Sequence, residues 1–300
     1  MGKNLDFTRT VALARAETIQ EILFSSMRAL RATMRDVDAR LQSEILLAHA
    51  LAISRAQLLS RLNETLAPAI AAQYAAFIAR RARGEPLAYI IEQQEFFQLD
   101  FFVDRRVLIP RHETETLVAL AREAASQINF TTPVIVDVGT GSGTIALTLQ
   151  HHLPRARVIA TDISREALAV AQINARRLRL ERIDFVESDL LESVDESFDI
   201  LVANLPYIPS ARYEKLPREI RDHEPRRALD GGHDGLTLIG RLMRQMNQRA
   251  AKNALAFLEI SEEQGARALD LARQELPRAR ATAHRDLEGL DRVLELQWAK

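Results

Sequence analysis

Val134-Ile135-Val136-Asp137-Val138-Gly139-Thr140-Gly141-Ser142-Gly143-Thr144 is the stretch on which the fold turns. Val134–Val138 is a short apolar run ending at a glycine cluster, the pattern of a buried strand. Three glycines in five positions then let the backbone turn tightly and come close to a ligand. Thr144–His151 continues as a helix. Working outward, strands are expected at Arg157–Ile163, Ile183–Glu187, Phe198–Ala203 and Ala254–Ile260. They alternate with helices at Glu113–Ser126, Arg165–Leu178, Leu236–Ala250 and Glu262–Gln274, and strands Arg280–His284 and Arg292–Trp298 close the chain. Such alternation gives an α/β fold with a mostly parallel sheet covered on both faces.

Upstream the texture changes. Residues 1 to about 85 read as helices, Thr18–Ala32, Val37–Ala52 and Ala69–Arg83, with Pro68 suited to a first turn. Val37, Leu41, Ile45, Ala48 and Leu51 fall on one face of the second, which marks them as its apolar stripe. Gly84-Glu85-Pro86 is a stop signal. Glu95–Ile109, rich in aromatic and β-branched residues around polar turns, reads as a β-hairpin. Three parts follow: a helical domain over 1–85, a linker with the hairpin over 86–112, and an α/β domain over 113–300.

The chain has 300 residues, 47% hydrophobic and 27% charged, enough to bury two cores. Lys+Arg number 40 against 41 Asp+Glu, a balance that argues against a partner held mainly through phosphate neutralisation. Cysteine is absent, which excludes disulfides, thiolate zinc sites and cysteine nucleophiles. Met1–Asp6 carries no signal-peptide core. The longest uncharged runs, Thr65–Ala79 and Val138–Pro154, are broken by polar residues, glycine or proline and do not look like membrane spans. A soluble cytoplasmic protein is expected. His151-His152 has no ligand set nearby, so no metal site is expected.

The glycine loop admits two readings, a bare strand–helix turn or a ligand cradle. A dinucleotide fingerprint would carry its third glycine one place later, and no Gly-Lys-Ser/Thr for a triphosphate occurs. An acid before Gly-x-Gly-x-Gly resembles instead the first motif of methyltransferases that use S-adenosylmethionine (AdoMet). Asp162, ending the second strand beside that loop, can accept two ribose hydroxyls or serve the helix start at Ser164. Asn204-Leu205-Pro206-Tyr207 ends the fourth strand. It reads either as a strand end with a proline turn or as an amide-binding tetrad. As a tetrad it resembles the signature of methyltransferases acting on planar, weakly nucleophilic nitrogens. An amide lone pair is delocalised, so its NH2 must be held by acceptors and aimed. Asn204's side-chain oxygen and the Leu205 carbonyl can do this, with the Tyr207 ring against the flat group.

In order along the chain stand Gly84–Ile90, Phe101–Asp104, Leu108–Glu115, Asp137–Gly143, Asp162, Asp189, Asn204–Tyr207, Glu224-Pro225, Ala228-Leu229 and Gly231–Leu236. This set resembles the HemK/PrmC family, the protein-(glutamine-N5) methyltransferases of peptide release factors. The resemblance implies a seven-stranded class I methyltransferase sheet with a last antiparallel strand. It also implies AdoMet as cofactor and a release-factor Gly-Gly-Gln loop as protein substrate, docked by the helical block, with a monomer and neither membrane nor direct nucleic-acid binding. Asp137, Gly139, Thr140, Gly141, Ser142, Gly143, Asp162, Asp189, Leu190 and Asn204 would hold the cofactor. Asp189 would accept the adenine amino group and Leu190 would flank the ring; taken alone, Asp189 reads equally as a loop or cap carboxylate and Leu190 as core. Asn204, Pro206 and Tyr207 would be catalytic, and with Leu205 would bind the glutamine. The family's tetrad is usually Asn-Pro-Pro-Tyr, so Leu205 gives up proline's fixed φ but keeps a carbonyl. His112 stands where proline is usual and is expected at a solvent-facing helix start. A sister family modifies a ribosomal-protein glutamine, and the tetrad also resembles that of ribosomal RNA adenine dimethyltransferases. The latter would need a basic face, and Arg176/Arg177/Arg179/Arg182 and Arg218/Arg221/Arg226/Arg227 are both interleaved with acids.

Overall fold

The computed structural model describes residues 17–127 and 132–298. The reading of Met1–Asp6 and the start of the helical block lie outside them. The chain divides into two compact units, one ending at Glu92 and one beginning at Gln93. Among the described residues no helix is long and apolar enough to cross a membrane.

The first unit is helical: α1 Ile19–Leu30, α2 Asp36–Ala50, α3 Arg55–Leu59, α4 Pro68–Ala82 and α5 Leu87–Ile91. Thr18 and Glu21 form a reciprocal cap at the start of α1, as Ser54 and Gln57 do for α3. Pro68 opens α4 at its first turn, where its missing N–H costs nothing. Gly84, at φ +91°, ends that helix. The expected stripe on α2 is corrected. Val37 is 77% exposed and Leu41 is also exposed, while Ala39, Ser43, Leu46, Leu47 and Ala50 are buried. The buried surface of α2 includes the polar Ser43 and Glu44, which hides it from an apolar count. The Tyr74 hydroxyl donates to the Ser43 carbonyl at 3.2 Å. The buried Glu44 carboxylate accepts from Arg40 Nε at 2.8 Å and Arg55 Nε at 2.6 Å. Burial alone would push Glu44 up, but the two guanidiniums outweigh it and hold its pKa below the usual value.

The second unit opens with a hairpin shorter than expected: β1 Gln94–Phe96 and β2 Leu99–Phe101, joined by Phe97 and Gln98, both at positive φ. Residues 102–109 do not pair as a strand. Phe102 has its backbone bonds taken by a side chain instead, its N–H donating to Asn174 Oδ1 at 2.7 Å and its carbonyl accepting from Asn174 Nδ2 at 3.0 Å. A 3-10 turn over His112–Thr114 leads into α6 Glu115–Gln127.

The α/β series is β3 Val134–Val138, α7 Thr144–His152, β4 Arg157–Asp162, α8 Arg165–Leu178, β5 Ile183–Glu187 and β6 Phe198–Ala203. Short helices α9 Ser210–Tyr213 and α10 Arg218–Arg221 and a 3-10 turn at Arg226–Ala228 follow. Then come α11 Thr237–Met246, β7 Ala250–Glu259, α12 Gly265–Glu275, β8 Ala279–Arg285 and β9 Asp291–Trp298. β7 takes Ala250, expected at the end of the preceding helix, and pairs it with Phe198 before a register shift.

The seven strands lie in the order β5-β4-β3-β6-β7-β9-β8. β9 runs antiparallel to both neighbours, and the other pairings are parallel. This is the mixed α/β sheet with a last antiparallel strand. Alternation splits the core by face: Ile135, Ile200, Val202, Leu255 and Phe257 belong to one cluster, and Val136, Val138, Leu201, Ala203 and Leu258 to the other. The order reverses between β3 and β6, so their carboxyl ends open a crevice.

Candidate active site

The glycine loop leaves β3 at that crevice. Gly139 N–H and Thr140 N–H both donate to the Thr161 carbonyl of β4, at 2.9 and 2.8 Å. Gly143, at φ +80°, lets α7 and α8 close on each other, because a Cβ there would lie 3.0 Å from that of Ala171. Asp137 alternates onto the α7 side of the sheet and is fully buried. Its Oδ2 accepts from the Thr140 hydroxyl at 2.7 Å and from Ala146 N–H at 3.1 Å, while Oδ1 has no hydrogen-bond partner. Burial pushes its carboxyl up to about 7, against those two donors.

A cavity of about 370 Å³ lies in the crevice. Gly139, Gly141, Asp162, Asp189 and Leu190 line it from the first three strands, and Asn204, Leu205 and Pro206 from the fourth. Asp137, Thr140, Ser142 and Gly143 are not on its wall; they shape the loop from behind. Asp162 Oδ2 accepts from Gly141 N–H at 2.9 Å and Oδ1 from Ser164 N–H at 2.8 Å. Each oxygen keeps a lone pair for a further donor, so the carboxylate can serve loop and ligand together. Ser164, not Asp162, caps α8 through its hydroxyl. Burial pushes the Asp162 carboxyl up, opposed by these N–H groups. Asp189 is paired with Arg241 at 2.8 Å, leaving Oδ1 for another donor. Leu190 is buried at φ +58°, lines the cavity and also belongs to the core. A cavity of this size, with glycine backbone, a carboxylate at a strand end and apolar walls, fits a nucleoside ligand.

The tetrad follows β6. Asn204 Nδ2 donates to the Thr114 hydroxyl at 3.0 Å, which leaves Oδ1 for the crevice. Leu205 is buried, its side chain packed toward Gly139. The Tyr207 hydroxyl donates to Glu259 Oε1 at 3.1 Å, and its carbonyl accepts from Gln264 Nε2 at 3.0 Å. Burial and the neighbouring Glu259 carboxylate raise the Tyr207 pKa strongly. Burial pushes Glu259 itself up to about 7, opposed by the Thr114 and Tyr207 hydroxyls and by Arg292. Gly231 and Gly235 sit on the tetrad backbone, where their Cβ atoms would meet the Pro206 and Tyr207 carbonyls at 2.5 and 2.1 Å.

A second cavity of about 120 Å³ adjoins, lined by Arg111, Tyr207, Ile208, Leu216 and Ile220 among others. Asn204, Leu108 and Ala228 line both cavities. Glu224 fixes the mouth: its carboxylate accepts from Ile109 N–H at 3.1 Å and pairs with Arg111.

Thr114, Glu259, Glu224, Arg241 and Asn174 carry no role in the sequence reading. An acid inside the apolar run Ala254–Ile260 was a usable signal for Glu259, since a buried carboxylate must be compensated. Arg241 gave none. His112 is exposed at the 3-10 turn, and His151 and His152 end α7. Among the described residues no group of side chains could hold a metal ion. Three arginines of the second cluster are paired with nearby acids, Arg218 and Arg221 with Asp222 and Arg226 with Asp230, while Arg227 lines the larger cavity. In the first, Arg177 stacks over the Phe102 ring at 4.7 Å.

Two family models match: "PrmC N-terminal domain" over residues 27–91 and "Methyltransferase small domain" over 119–232. A release factor glutamine methyltransferase of Moorella thermoacetica is 48% identical over 236 residues, 78% of this chain and 82% of that protein. One from Rhodopirellula baltica is 35% identical over 268 residues, 87% and 90% of the two chains. A methyltransferase structure from Pyrococcus furiosus superposes with a TM-score of 0.51 over 74% of this chain and 98% of that one; at 15% identity it speaks to the fold alone.

Proposed function

The chain belongs to the release factor glutamine methyltransferases, and from that membership we propose that it transfers a methyl group from AdoMet to the side-chain nitrogen of the glutamine in a release-factor Gly-Gly-Gln loop. One observation carries the reading. Asn204 stands in the wall common to a nucleoside-sized cavity and a small neighbouring one, with its NH2 already committed to Thr114. Bound in the larger cavity, AdoMet supplies an electrophilic methyl group on a sulfonium. Asp162 would accept ribose hydroxyls, Asp189 would offer Oδ1 to the adenine amino group, and Leu190 would flank the ring. Asn204 Oδ1 at the wall shared by the two cavities and the Leu205 carbonyl beside it, on the larger-cavity side, accept the two N–H groups of the substrate amide, and the Tyr207 ring, which lines the smaller cavity, bounds its flat face. Holding both hydrogens directs the nitrogen at the donor methyl, so positioning supplies most of the acceleration. Leu205 contributes a carbonyl as proline would, and its own packing against the Gly139 loop takes the place of proline's rigidity.

The test is direct. Purified release factor, labelled AdoMet and the enzyme are incubated, and the label is mapped by mass spectrometry. Label on the Gly-Gly-Gln glutamine is expected. No label on that glutamine, with label on a ribosomal protein or on ribosomal RNA when ribosomes replace the release factor, overturns the substrate assignment.

A further inference from the structure

Beyond the tetrad lies a pair of buried side chains that the reaction described above does not use. Thr114 ends the 3-10 turn before α6 and is 4% exposed; Glu259 ends β7 and is 1% exposed. They come from elements far apart in sequence and meet behind Asn204 and Tyr207.

A side-chain amide can sit in either of two orientations that exchange its oxygen and its NH2. For Asn204 the difference decides everything, because an outward NH2 would face the substrate's NH2 donor to donor. The Thr114 hydroxyl cannot choose alone. It has one proton and two lone pairs, so it could accept from Nδ2 or donate to Oδ1. The choice is made by whatever claims its proton. The Glu259 carboxylate faces Thr114 and, when charged, only accepts. Its Oε1 takes the Tyr207 hydroxyl at 3.1 Å, and its Oε2 is buried with no hydrogen-bond partner, so it has capacity for the Thr114 proton. With that proton turned toward Glu259, the Thr114 oxygen presents only lone pairs to Asn204, which must answer with its NH2, as the 3.0 Å bond from Nδ2 records.

Resting on the methyltransferase reading above, we propose that Thr114 and Glu259 are positioning residues that fix the orientation of the Asn204 amide, turning Oδ1 toward the acceptor nitrogen, and that Glu259 anchors the Tyr207 ring through the same carboxylate. Neither residue touches the substrate; both act through the tetrad.

The experiment compares Thr114→Val, which keeps the shape and removes the hydroxyl, with Thr114→Ser, which keeps the hydroxyl, and with Glu259→Gln, whose amide can donate or accept. Thr114→Val and Glu259→Gln should each lower kcat at least about tenfold, with KM for release factor and AdoMet held within about twofold. Thr114→Ser should recover kcat to within about threefold of wild type. The double variant should be no worse than the poorer single one, because the pair acts as a unit. A second readout needs no turnover: the Asn204 side-chain NH2, followed by NMR, should exchange with solvent at least about tenfold faster in Thr114→Val and Glu259→Gln, but not in Thr114→Ser. Failure of wild type to methylate release factor would sink the substrate reading while this exchange pattern still tested the pair. The proposal is overturned if Thr114→Val exchanges and turns over like wild type, if serine is as damaging as valine, or if the two losses multiply.

Discussion

Asn204 and Asp137 show what single side chains do here. Asn204 holds its NH2 on Thr114 and offers its oxygen to the crevice. In the proposed reaction, replacing it with alanine would remove one of two acceptors for the substrate amide, so kcat should fall by at least about a hundredfold while AdoMet binding, measured by calorimetry, changes only a few-fold. Turnover near wild type would remove the acceptor role. Asp137 is different in kind. It lies under the loop, and its carboxyl, ordinarily near 3.8, is pushed up to about 7 by burial. Between those values the folded protein keeps a proton that the unfolded chain has released. The wild type therefore loses stability as pH rises through that window, and the loss is complete above about 7. Asp137→Asn keeps an acceptor oxygen for Thr140 and Ala146 but cannot titrate. The stability of wild type relative to this variant, from urea unfolding, should fall by about 1 kcal/mol or more between roughly pH 4 and pH 7.5. Parallel curves would refute the raised pKa. The motif that contains Asp137 was readable from spacing, but its position behind the cavity was not. Strand alternation turns it away from the ligand, and alternation becomes decisive only when the faces of the sheet are known.

Whole elements were legible wherever a local pattern matched the burial. β3, α8, β5 and β6 stand where the apolar runs and helical spacing put them. Legibility failed where the chain is held by side chains from elsewhere. The hairpin stops at Phe101 because Asn174, 72 residues away, takes the backbone of Phe102 and also donates to the Ser142 carbonyl at 2.8 Å. The α2 stripe differs from its apolar spacing because Glu44 is buried with an arginine partner on α3 and Ser43 is buried although polar. The same principle governs the segment after the tetrad, where three glycines stand among six residues and two of them press on the tetrad's carbonyls. Gly235 combines φ +76° with a Cβ position 2.1 Å from the Tyr207 carbonyl and 2.5 Å from Gln264 Nε2. Gly235→Ala must displace the Tyr207 backbone, and kcat should drop at least about tenfold. Gly84→Ala is the control, since φ +91° strains it but nothing lies within 4 Å. It should cost about 1 kcal/mol in thermal unfolding and leave turnover unchanged. Equal effects on turnover would mean that the loop does not set the tetrad.

At the scale of the molecule the two units have separate cores. The first centres on Leu23, Leu46, Leu47, Tyr74 and Ile78, and none of its members belongs to the two clusters that sandwich the sheet. The cavity, the tetrad and the residues behind it all come from positions after Gln93. We propose that the first unit, which has its own core, recognises the protein substrate. Net charge bears on what it recognises: with 40 basic and 41 acidic residues the chain has little to gain from releasing counterions off a nucleic acid. Removing residues 1–92 should therefore raise KM for release factor at least about tenfold, a loss of about 1.4 kcal/mol or more in recognition, while the Kd for AdoMet stays within about threefold. Circular dichroism of the remaining unit checks that its sheet persists. The separate fragment 1–92 should in turn inhibit the intact enzyme competitively against release factor and not against AdoMet. If the shortened enzyme keeps both its KM and its AdoMet affinity, docking belongs to the sheet unit, and the half-buried Leu216 and Ile220 at the smaller cavity become the place to look for it.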